Sequence, residues 1–344
     1  MLRRLRQNRE GNDAARQVAG GRGRNEGRDA VRTMERARTT VGTGRGLAGT
    51  RGLLVDWDGV LVGAGRPIPG AATALAELDR AGFPYRIATN TTLLSRRDLA
   101  ERSADLGFAI PPERFVTAAS SAAAYCARRF PGRPIVVVGT SGAKSEFAGQ
   151  TLLPVEAADD PAAPPAAVVV GDSPDELTYA NLNRIFRAVR GGAAFVAMHR
   201  NGWWLTEAGP TLDSGAIVAG LEYALGRRAT VVGKPARTFF AEAARALLAD
   251  SAVRAAGSPR AAGSPRAIGS PRAADRSGIA MVGDDVWSDV AAAQRTGLRG
   301  VLVLTGKHGE AELARLRARG RVPDAVCPSI VEVVAGVLGE PRPA

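Results

Sequence analysis

Short aliphatic runs alternate with helix-length amphipathic segments along most of this chain, and this alternation limits the fold more than any other feature. It predicts strands over 53–56, 85–88, 135–138, 167–170, 194–197, 230–232, 279–282 and 301–304. The segments between them include predicted helices over 71–81, 95–106 and 238–248. Continuous apolar strands separated by helices are typical of a parallel sheet covered on both faces. We therefore expect an α/β protein with a Rossmann-like parallel sheet.

The length and composition exclude several classes of protein. With 344 residues, 45% of them hydrophobic, the chain can form one large or two moderate domains. No apolar run approaches the roughly 18 residues that cross a bilayer, so we expect a cytoplasmic protein without a membrane span. Cys126 and Cys327 lie far apart without metal-ligand spacing, which indicates buried thiols rather than a disulfide or a zinc site.

The positive charge is concentrated at the amino-terminal end. The formal net charge is +12, and residues 1–50 contain twelve Arg but only five acidic residues. This segment has few large apolar side chains, so we interpret 1–50 as a disordered basic arm. It could tether the protein to nucleic acid or anionic lipid, or be a dispensable extension. Because only three of the 46 basic residues are Lys, GC-rich coding explains the Arg content as well, and we do not expect nucleic acid as a partner.

A short repeat interrupts the pattern near the carboxyl-terminal third. The sequence Gly-Ser-Pro-Arg begins at 257 and recurs at 263 and 269, a period of six residues. Proline at every sixth residue prevents a continuous helix. We expect a flexible insertion over 254–275, for which a phosphorylation or docking site is an alternative to a surface loop lengthened by repeat expansion.

Two predicted strands end in carboxylates. Asp56 and Asp58 follow the first strand, and Asp284 follows the strand 279–282. Open α/β sheets bind ligands at the carboxyl ends of their strands, and carboxylates that approach one point need a cation, for which Mg²⁺ is the preferred ion. An ordinary Asp-rich turn is the alternative for the first pair. Asp285 and Asp289 lie where a helix would begin, and helix capping is the alternative for them.

Two further strand ends have the character of a phosphate site. Thr89 and Asn90 follow the strand 85–88 and precede a predicted helix, so hydroxyl, amide and free helix N–H groups could surround phosphoryl oxygens. Lys234 follows the strand 230–232 and Gly233. A lysine supplies a compact point charge, although a lysine that faces solvent is the alternative.

These four segments, in this order, resemble the four motifs of the haloacid dehalogenase (HAD) superfamily of phosphatases. The resemblance extends from about 52 to 338, with motifs at 56–61, 89–90, 233–235 and 283–289. The long spacing between Asn90 and Lys234 is similar to class IIA, the nitrophenylphosphatase-like branch, in which a cap domain lies between motifs two and three. Within it, the resemblance is greatest to phosphatases of phospholysine, phosphohistidine and pyrophosphate, which implies P–N and pyrophosphate bonds as further targets.

The resemblance implies a domain plan and a Mg²⁺-dependent phosphatase of small phosphorylated metabolites. The plan is a core over 51–118 and 230–340, with an inserted α/β cap over 119–229. The implied roles are nucleophile for Asp56, which would form an aspartyl-phosphate; general acid and then base for Asp58; Mg²⁺ ligands for Asp56, Asp284 and the main-chain carbonyl of Asp58; phosphate binding for Thr89, Asn90 and Lys234; and support for Asp285 and Asp289. A homodimer through the cap is an option that the resemblance also implies.

Some features depart from the family pattern or stay open. Trp57 is bulky for its position, though its main-chain N–H could still face the phosphate, and relatives are short where the repeat falls. The cap residues near the implied entrance are His199, Arg200, Trp203, Trp204 and Asp213. The tryptophans could instead form cap core, and His199 could be a structural histidine. The alternative function is a non-catalytic phosphate-ligand-binding or regulatory protein tethered by its basic arm.

Overall fold

The computed structural model describes residues 44–206, 208–256 and 276–339. The strands are β1 (Gly52–Val55), β2 (Val62–Gly63), β3 (Arg66–Pro67), β4 (Tyr85–Thr89), β5 (Phe115–Thr117), β6 (Ile135–Val138), β7 (Leu152–Leu153), β8 (Ala167–Val170), β9 (Ala194–Ala197), β10 (Trp203–Thr206), β11 (Gly209–Leu212), β12 (Thr230–Val231), β13 (Ile279–Gly283), β14 (Arg299–Val303) and β15 (Ala325–Cys327). The α-helices are α1 (Ala71–Arg80), α2 (Arg96–Asp105), α3 (Ala118–Arg129), α4 (Ser141–Ser145), α5 (Tyr179–Arg190), α6 (Ser214–Leu225), α7 (Arg237–Ala256), α8 (Ala291–Gln294), α9 (Glu310–Ala318) and α10 (Ile330–Leu338).

Six parallel strands form the sheet of the larger domain, in the order β15-β14-β13-β1-β4-β5. The side chains of β1 are fully buried because α1 and α10 cover one face of the sheet and α7 covers the other. The chain adds β4 and β5 on one side of β1 and then β13 to β15 on the other. Such a reversal of strand order opens a crevice at the carboxyl ends of the strands, between β1 and β13.

Five parallel strands form a smaller sheet, in the order β12-β9-β8-β6-β7, from the chain between β5 and α7. Helix α3 packs on one face of this sheet, and α5 and α6 pack on the other. The predicted α/β fold with an inserted α/β cap is therefore confirmed, and we refer to this smaller domain as the cap.

Two antiparallel hairpins complete the part of the fold that surrounds the crevice. Strands β2 and β3 pair directly after Asp58, and β10 pairs with β11 in the cap. Cys126 and Cys327 are buried, as predicted. Within the described ranges, no helix combines the length and the apolar character needed to cross a membrane.

The structure differs from the predicted boundaries in three places. Thr230–Val231 pairs with β9, so this strand belongs to the cap and not to the second core segment. Helix α7 continues to Ala256, into the predicted insertion, and 257–275 lie outside the described residues. Gly44–Leu47 forms a 3₁₀ turn whose Leu47 is buried in the core, so ordered structure begins before the predicted boundary at 50. The rest of the predicted arm, 1–43, lies outside the described residues.

Candidate active site

The ends of β1 and β13 bring three carboxylates together. The two strands are parallel neighbours, with Val55 beside Val282, so Asp56 and Asp284 leave the sheet at the same edge. One oxygen atom each of Asp56, Asp284 and Asp289 lie within 4.8 Å of one another, and all three side chains are buried. The predicted convergence of Asp56 and Asp284 is present, and Asp289, expected only in support, is a full member of the cluster.

Lys234 lies between two of these carboxylates. Its Nζ is 2.7 Å from Asp56 Oδ2 and 2.8 Å from Asp289 Oδ1, and the residue is only 2% exposed. The alternative of a lysine that faces solvent is therefore wrong. Burial alone would lower the pKa of the Lys234 ammonium, but the charges of Asp289 and Asp56 outweigh burial and raise that pKa. The side chain is a fixed positive charge inside the site.

The cluster carries more negative than positive charge. Burial raises the pKa of Asp56 and of Asp284 to about 6; Lys234 opposes this for Asp56, and Asp289 adds to it for Asp284. Burial also raises the pKa of Asp289 while Lys234 lowers it. The 2.8 Å separation from Lys234 Nζ is that of an ion pair, so we assign Asp289 as ionised. Three carboxylates against one ammonium favour the binding of a further cation.

The donor set of the cluster fits Mg²⁺. Mg²⁺ takes oxygen ligands at about 2.0–2.1 Å and is usually held by one or two protein carboxylates, with water and substrate phosphate completing the shell. Asp56 and Asp284 supply such oxygens from a buried position, with Asp289 beside them. Residues present in this chain can therefore hold the ion that the sequence predicts. The main-chain carbonyl of Asp58 as a further ligand stays a prediction.

Asp58 lies outside the cluster, and its side chain faces the cleft between the larger domain and the cap. Its side chain lines a cavity of about 350 Å³ and is exposed to it. The protein atoms around the cleft nevertheless limit its hydration and raise the pKa of Asp58 to about 6, with Lys234 opposing and Asp284 adding to the shift. A carboxyl whose pKa lies this close to neutral pH can both release and accept a proton, which suits it to proton transfer.

Trp57, between the two aspartates, is accommodated by the core. Its ring is buried and lies 5.7 Å from the ring of Phe108 and 6.0 Å from that of Phe115. Its main-chain N–H donates to Asp56 Oδ1 at 2.7 Å. This N–H therefore orients the Asp56 carboxylate, and its contact with the phosphate stays a prediction.

The loop after β4 positions Lys234. Asn90 Nδ2 donates to the main-chain oxygen of Lys234 at 3.0 Å, and the main-chain N–H of Lys234 donates to Asn90 Oδ1 at 2.8 Å. Gly233, in turn, donates its N–H to the Met198 oxygen in the cap at 2.7 Å. Asn90 thus fixes the main chain that carries the ammonium, and its predicted contact with phosphate stays a prediction.

Thr89 is buried at the end of β4, and its contact with phosphate likewise stays a prediction. Its Oγ1 accepts from the Thr91 N–H at 3.1 Å. The expected supply of free helix N–H groups at this loop is wrong, because α2 begins only at Arg96 and is capped. Ser95 Oγ accepts from the Asp98 N–H, and Asp98 Oδ2 accepts from the Ser95 N–H, which forms a capping box.

Asp285 caps the turn that follows it, which was the alternative to a supporting role in the site. Its Oδ1 accepts from the N–H groups of Trp287 and Ser288 at 2.8 and 2.9 Å. Burial alone would raise the pKa of Asp285, but the His308 side chain and these two N–H groups outweigh it and lower the pKa. Asp285 therefore stabilises the turn that carries Asp289, and its support of the site stays a prediction.

Two glycines permit the close approach of main chain to Asp284. A Cβ at Gly306 would lie 2.0 Å from Asp284 Oδ2, and a Cβ at Gly59 would lie 2.1 Å from the same atom. Gly59 also has a φ of 75°, a conformation that disfavours other residues. The neighbouring Lys307 N–H donates to Asp284 Oδ2 at 2.6 Å, so the loop after β14 holds this carboxylate in place.

Replacement of Gly306 by alanine should weaken metal binding. The added methyl would displace Asp284, and changes to groups that orient a metal ligand typically cost about 10–100-fold in affinity or activity. We expect a shift of that size in the Mg²⁺ concentration that gives half-maximal activity. Gly309→Ala is the matched control, since a Cβ there meets nothing within 4 Å. Equal Mg²⁺ dependence of the two variants would contradict the conclusion that Gly306 makes room for Asp284.

The cap residues divide into three groups. Trp203 and Trp204 are 44% and 38% exposed, so they do not form cap core; Trp204 lines the cleft, and Lys307 Nζ lies 4.6 Å from the Trp203 ring centroid. Arg200 forms an ion pair with Glu222 at 2.7 Å. His199 and Asp213 both line the cleft.

His199 has the hydrogen bonds of a structural histidine. Its Nδ1 accepts from the Asn201 N–H at 3.2 Å, which places the ring proton on Nε2, 3.4 Å from Ser214 Oγ and Asp213 Oδ1. Burial lowers the pKa of His199 to about 4. The ring is therefore neutral near pH 7, and it lines the cleft as an uncharged, hydrogen-bonded side chain.

Family models match both halves of the larger domain. The model described as "Haloacid dehalogenase-like hydrolase" covers residues 53–152, and the one described as "HAD-hydrolase-like" covers 231–333. Haloacid dehalogenase-like hydrolase domain-containing protein 2 from Bos taurus is 32% identical over 288 residues, which is 84% of this chain and 96% of the relative. The human phospholysine phosphohistidine inorganic pyrophosphate phosphatase is 32% identical over 270 residues, 77% of this chain and 86% of the relative.

Solved structures match this fold over most of the chain. The p-nitrophenyl phosphatase from Archaeoglobus fulgidus has a TM-score of 0.68 and 26% identity, over 83% of this chain and 98% of that chain. The glycerol phosphate phosphatase from Mycobacterium tuberculosis, solved in complex with magnesium, has a TM-score of 0.66 and 27% identity, over 84% of this chain and 77% of that chain. The chain belongs to the haloacid dehalogenase-like hydrolases. It is a phosphatase-type member of the class with its cap between motifs two and three, as predicted.

Proposed function

We propose that the protein is a Mg²⁺-dependent phosphatase that hydrolyses small phosphate esters through an aspartyl-phosphate on Asp56. One observation carries the proposal: the buried oxygens of Asp56, Asp284 and Asp289 lie within 4.8 Å of one another, with Lys234 Nζ at 2.7 Å from Asp56. The names of the relatives support the same conclusion, because they include phosphatases of p-nitrophenyl phosphate and glycerol phosphate and one structure with magnesium.

The residues divide the reaction into two balanced steps. In the first, an Asp56 oxygen attacks phosphorus, the bond from phosphorus to the leaving oxygen breaks, and the Asp58 proton passes to that oxygen. In the second, Asp58 takes a proton from water, the water oxygen attacks phosphorus, and the bond to Asp56 breaks. Inorganic phosphate leaves, Asp56 is again a carboxylate and Asp58 again holds a proton.

The positive charges near Asp56 make the first step feasible. An anionic nucleophile must approach an anionic phosphate, and Lys234, held between Asp56 and Asp289, places a buried positive charge at that point. Mg²⁺ bound by Asp56 and Asp284 would neutralise further charge on the transferring group. Thr89 and Asn90, at the end of β4, are the proposed additional phosphate contacts.

The test is hydrolysis of p-nitrophenyl phosphate by the full chain. We expect turnover with millimolar Mg²⁺, loss of most activity after EDTA, and recovery when Mg²⁺ is added in excess. Turnover that EDTA leaves unchanged would contradict the metal requirement. Phosphate binding without turnover at high enzyme concentration would instead support the non-catalytic alternative. A cytoplasmic location and a homodimer through the cap remain predictions.

A further inference from the structure

The cleft beyond Asp58 has charges of opposite sign on its two walls. Arg102, on α2 of the larger domain, lines one wall of the cavity of about 350 Å³, while Asp172 and Asp213 of the cap line the other. Asp172 follows β8 and Asp213 precedes α6. His199, between the two acids, is neutral and therefore does not cancel their charge. The wall formed by the cap is therefore negative, and the wall formed by the larger domain carries the Arg102 guanidinium, which acts on the neighbouring Asp58 carboxyl.

Two of these charges have no ion-pair partner among residues 44–206, 208–256 and 276–339. The ion pairs found there include Arg114 with Asp79 and Arg200 with Glu222, but none to Arg102 or Asp172. Asp213 differs, because its Oδ1 accepts from the Ser214 N–H at 2.7 Å and so caps α6. A guanidinium and a carboxylate that share one cavity without pairing to each other are both available to a molecule between them.

We propose that Arg102 and Asp172 make the enzyme selective for phosphate esters whose leaving alcohol is zwitterionic. An ammonium on the alcohol would contact Asp172, with the charge of Asp213 nearby, and a carboxylate would contact Arg102. The inference rests on the proposed function: the ester P–O bond breaks as above, Asp58 protonates the alcohol oxygen, and a zwitterionic alcohol leaves. The cavity has the size of a small-molecule site, about 300 Å³ or more.

Four substrates separate the two charges. O-phosphoserine offers both an ammonium and a carboxylate, O-phosphoethanolamine only the ammonium, phosphoglycolate only the carboxylate, and ethyl phosphate neither. We expect the highest kcat/KM for O-phosphoserine, with a loss of about 10-fold for each missing charge, the usual effect of one hydrogen bond to a charged group. Equal kcat/KM for all four would overturn the proposal.

Two variants assign the preference to residues. The preference for a carboxylate is the kcat/KM of substrates that have one divided by the kcat/KM of substrates that lack it, and Arg102→Gln should lower this ratio about 10-fold. Asp172→Asn should lower the corresponding ratio for the ammonium by a similar factor. Arg97→Gln, an exposed arginine on the same helix that does not line this cleft, is the matched control and should change neither ratio. Ratios that do not change in Arg102→Gln and Asp172→Asn would overturn the assignment.

The result also distinguishes this inference from the proposed function. Wild-type hydrolysis of p-nitrophenyl phosphate, combined with no preference among the four substrates, would overturn the inference and leave the phosphatase intact. Absence of hydrolysis of all five compounds would overturn both. Circular dichroism of each variant, which should match the wild-type spectrum, shows whether a change in the ratios comes from a change in fold.

Discussion

Replacement of Asp56 by asparagine should abolish phosphatase activity and leave the fold intact. Asparagine keeps the shape of the side chain and its hydrogen bond from the Trp57 N–H, but its amide cannot serve as the carboxylate nucleophile. Loss of a nucleophile in another hydrolase family costs up to about a million-fold in kcat, and we expect at least about a thousand-fold here. The measurement is the initial rate of p-nitrophenyl phosphate hydrolysis at saturating Mg²⁺.

Asp105→Asn is the matched control for this change. Asp105 is exposed at the end of α2, so its replacement should leave the rate unaltered. Acid quench during turnover followed by mass spectrometry should show one added phosphoryl group on wild-type protein and none on Asp56→Asn. A rate above about a tenth of wild type in the Asp56 variant would contradict its role as nucleophile, given the usual size of such losses.

Replacement of Lys234 by methionine should reduce both activity and stability. The variant leaves Asp56 and Asp289 buried without the ammonium that lies within 2.8 Å of each. Removal of one partner from a buried ion pair typically costs about 3–5 kcal/mol, and we expect the free energy of unfolding to fall by that amount. Turnover should fall by about 100-fold or more, because the positive charge that we propose to face the transferring phosphate is lost.

Lys144→Met is the control for the stability effect. Lys144 pairs with Glu176, but both side chains are partly exposed, and exposed pairs contribute about 0–1 kcal/mol. Urea denaturation of the two variants and the wild type gives the comparison. Similar losses of stability for Lys144→Met and Lys234→Met would contradict the conclusion that burial determines the effect.

The sequence predicts those site residues that directly follow an aliphatic run. An aliphatic run comes immediately or shortly before each of Asp56, Asp284 and Lys234. Neighbouring parallel strands then bring their carboxyl ends to one edge of the sheet. Asp289 is different, because helix capping was the alternative to site support for both Asp289 and Asp285. Which of the two faces Lys234 depends on the turn Val286–Val290, whose geometry no local pattern encodes.

Residues that act through contacts between distant segments are not predictable in this way. Gly306 is required by a side chain that follows a different strand, and the signal available was only its position beyond the predicted strand 301–304. The partner of Asn90 is the main chain of a residue 144 positions away. Arg102 and Asp172 border one cleft because of how the cap sits on the larger domain, and that placement has no signature within either segment.

The contacts on either side of the Gly233–Lys234 peptide mark the crossing between the two domains. Gly233 is hydrogen-bonded to the cap through the Met198 oxygen, while Lys234 is hydrogen-bonded to the larger domain through Asn90. The chain therefore passes from one domain to the other across a single peptide bond. The ammonium beside Asp56 and Asp289 is carried by main chain that is fixed to the larger domain.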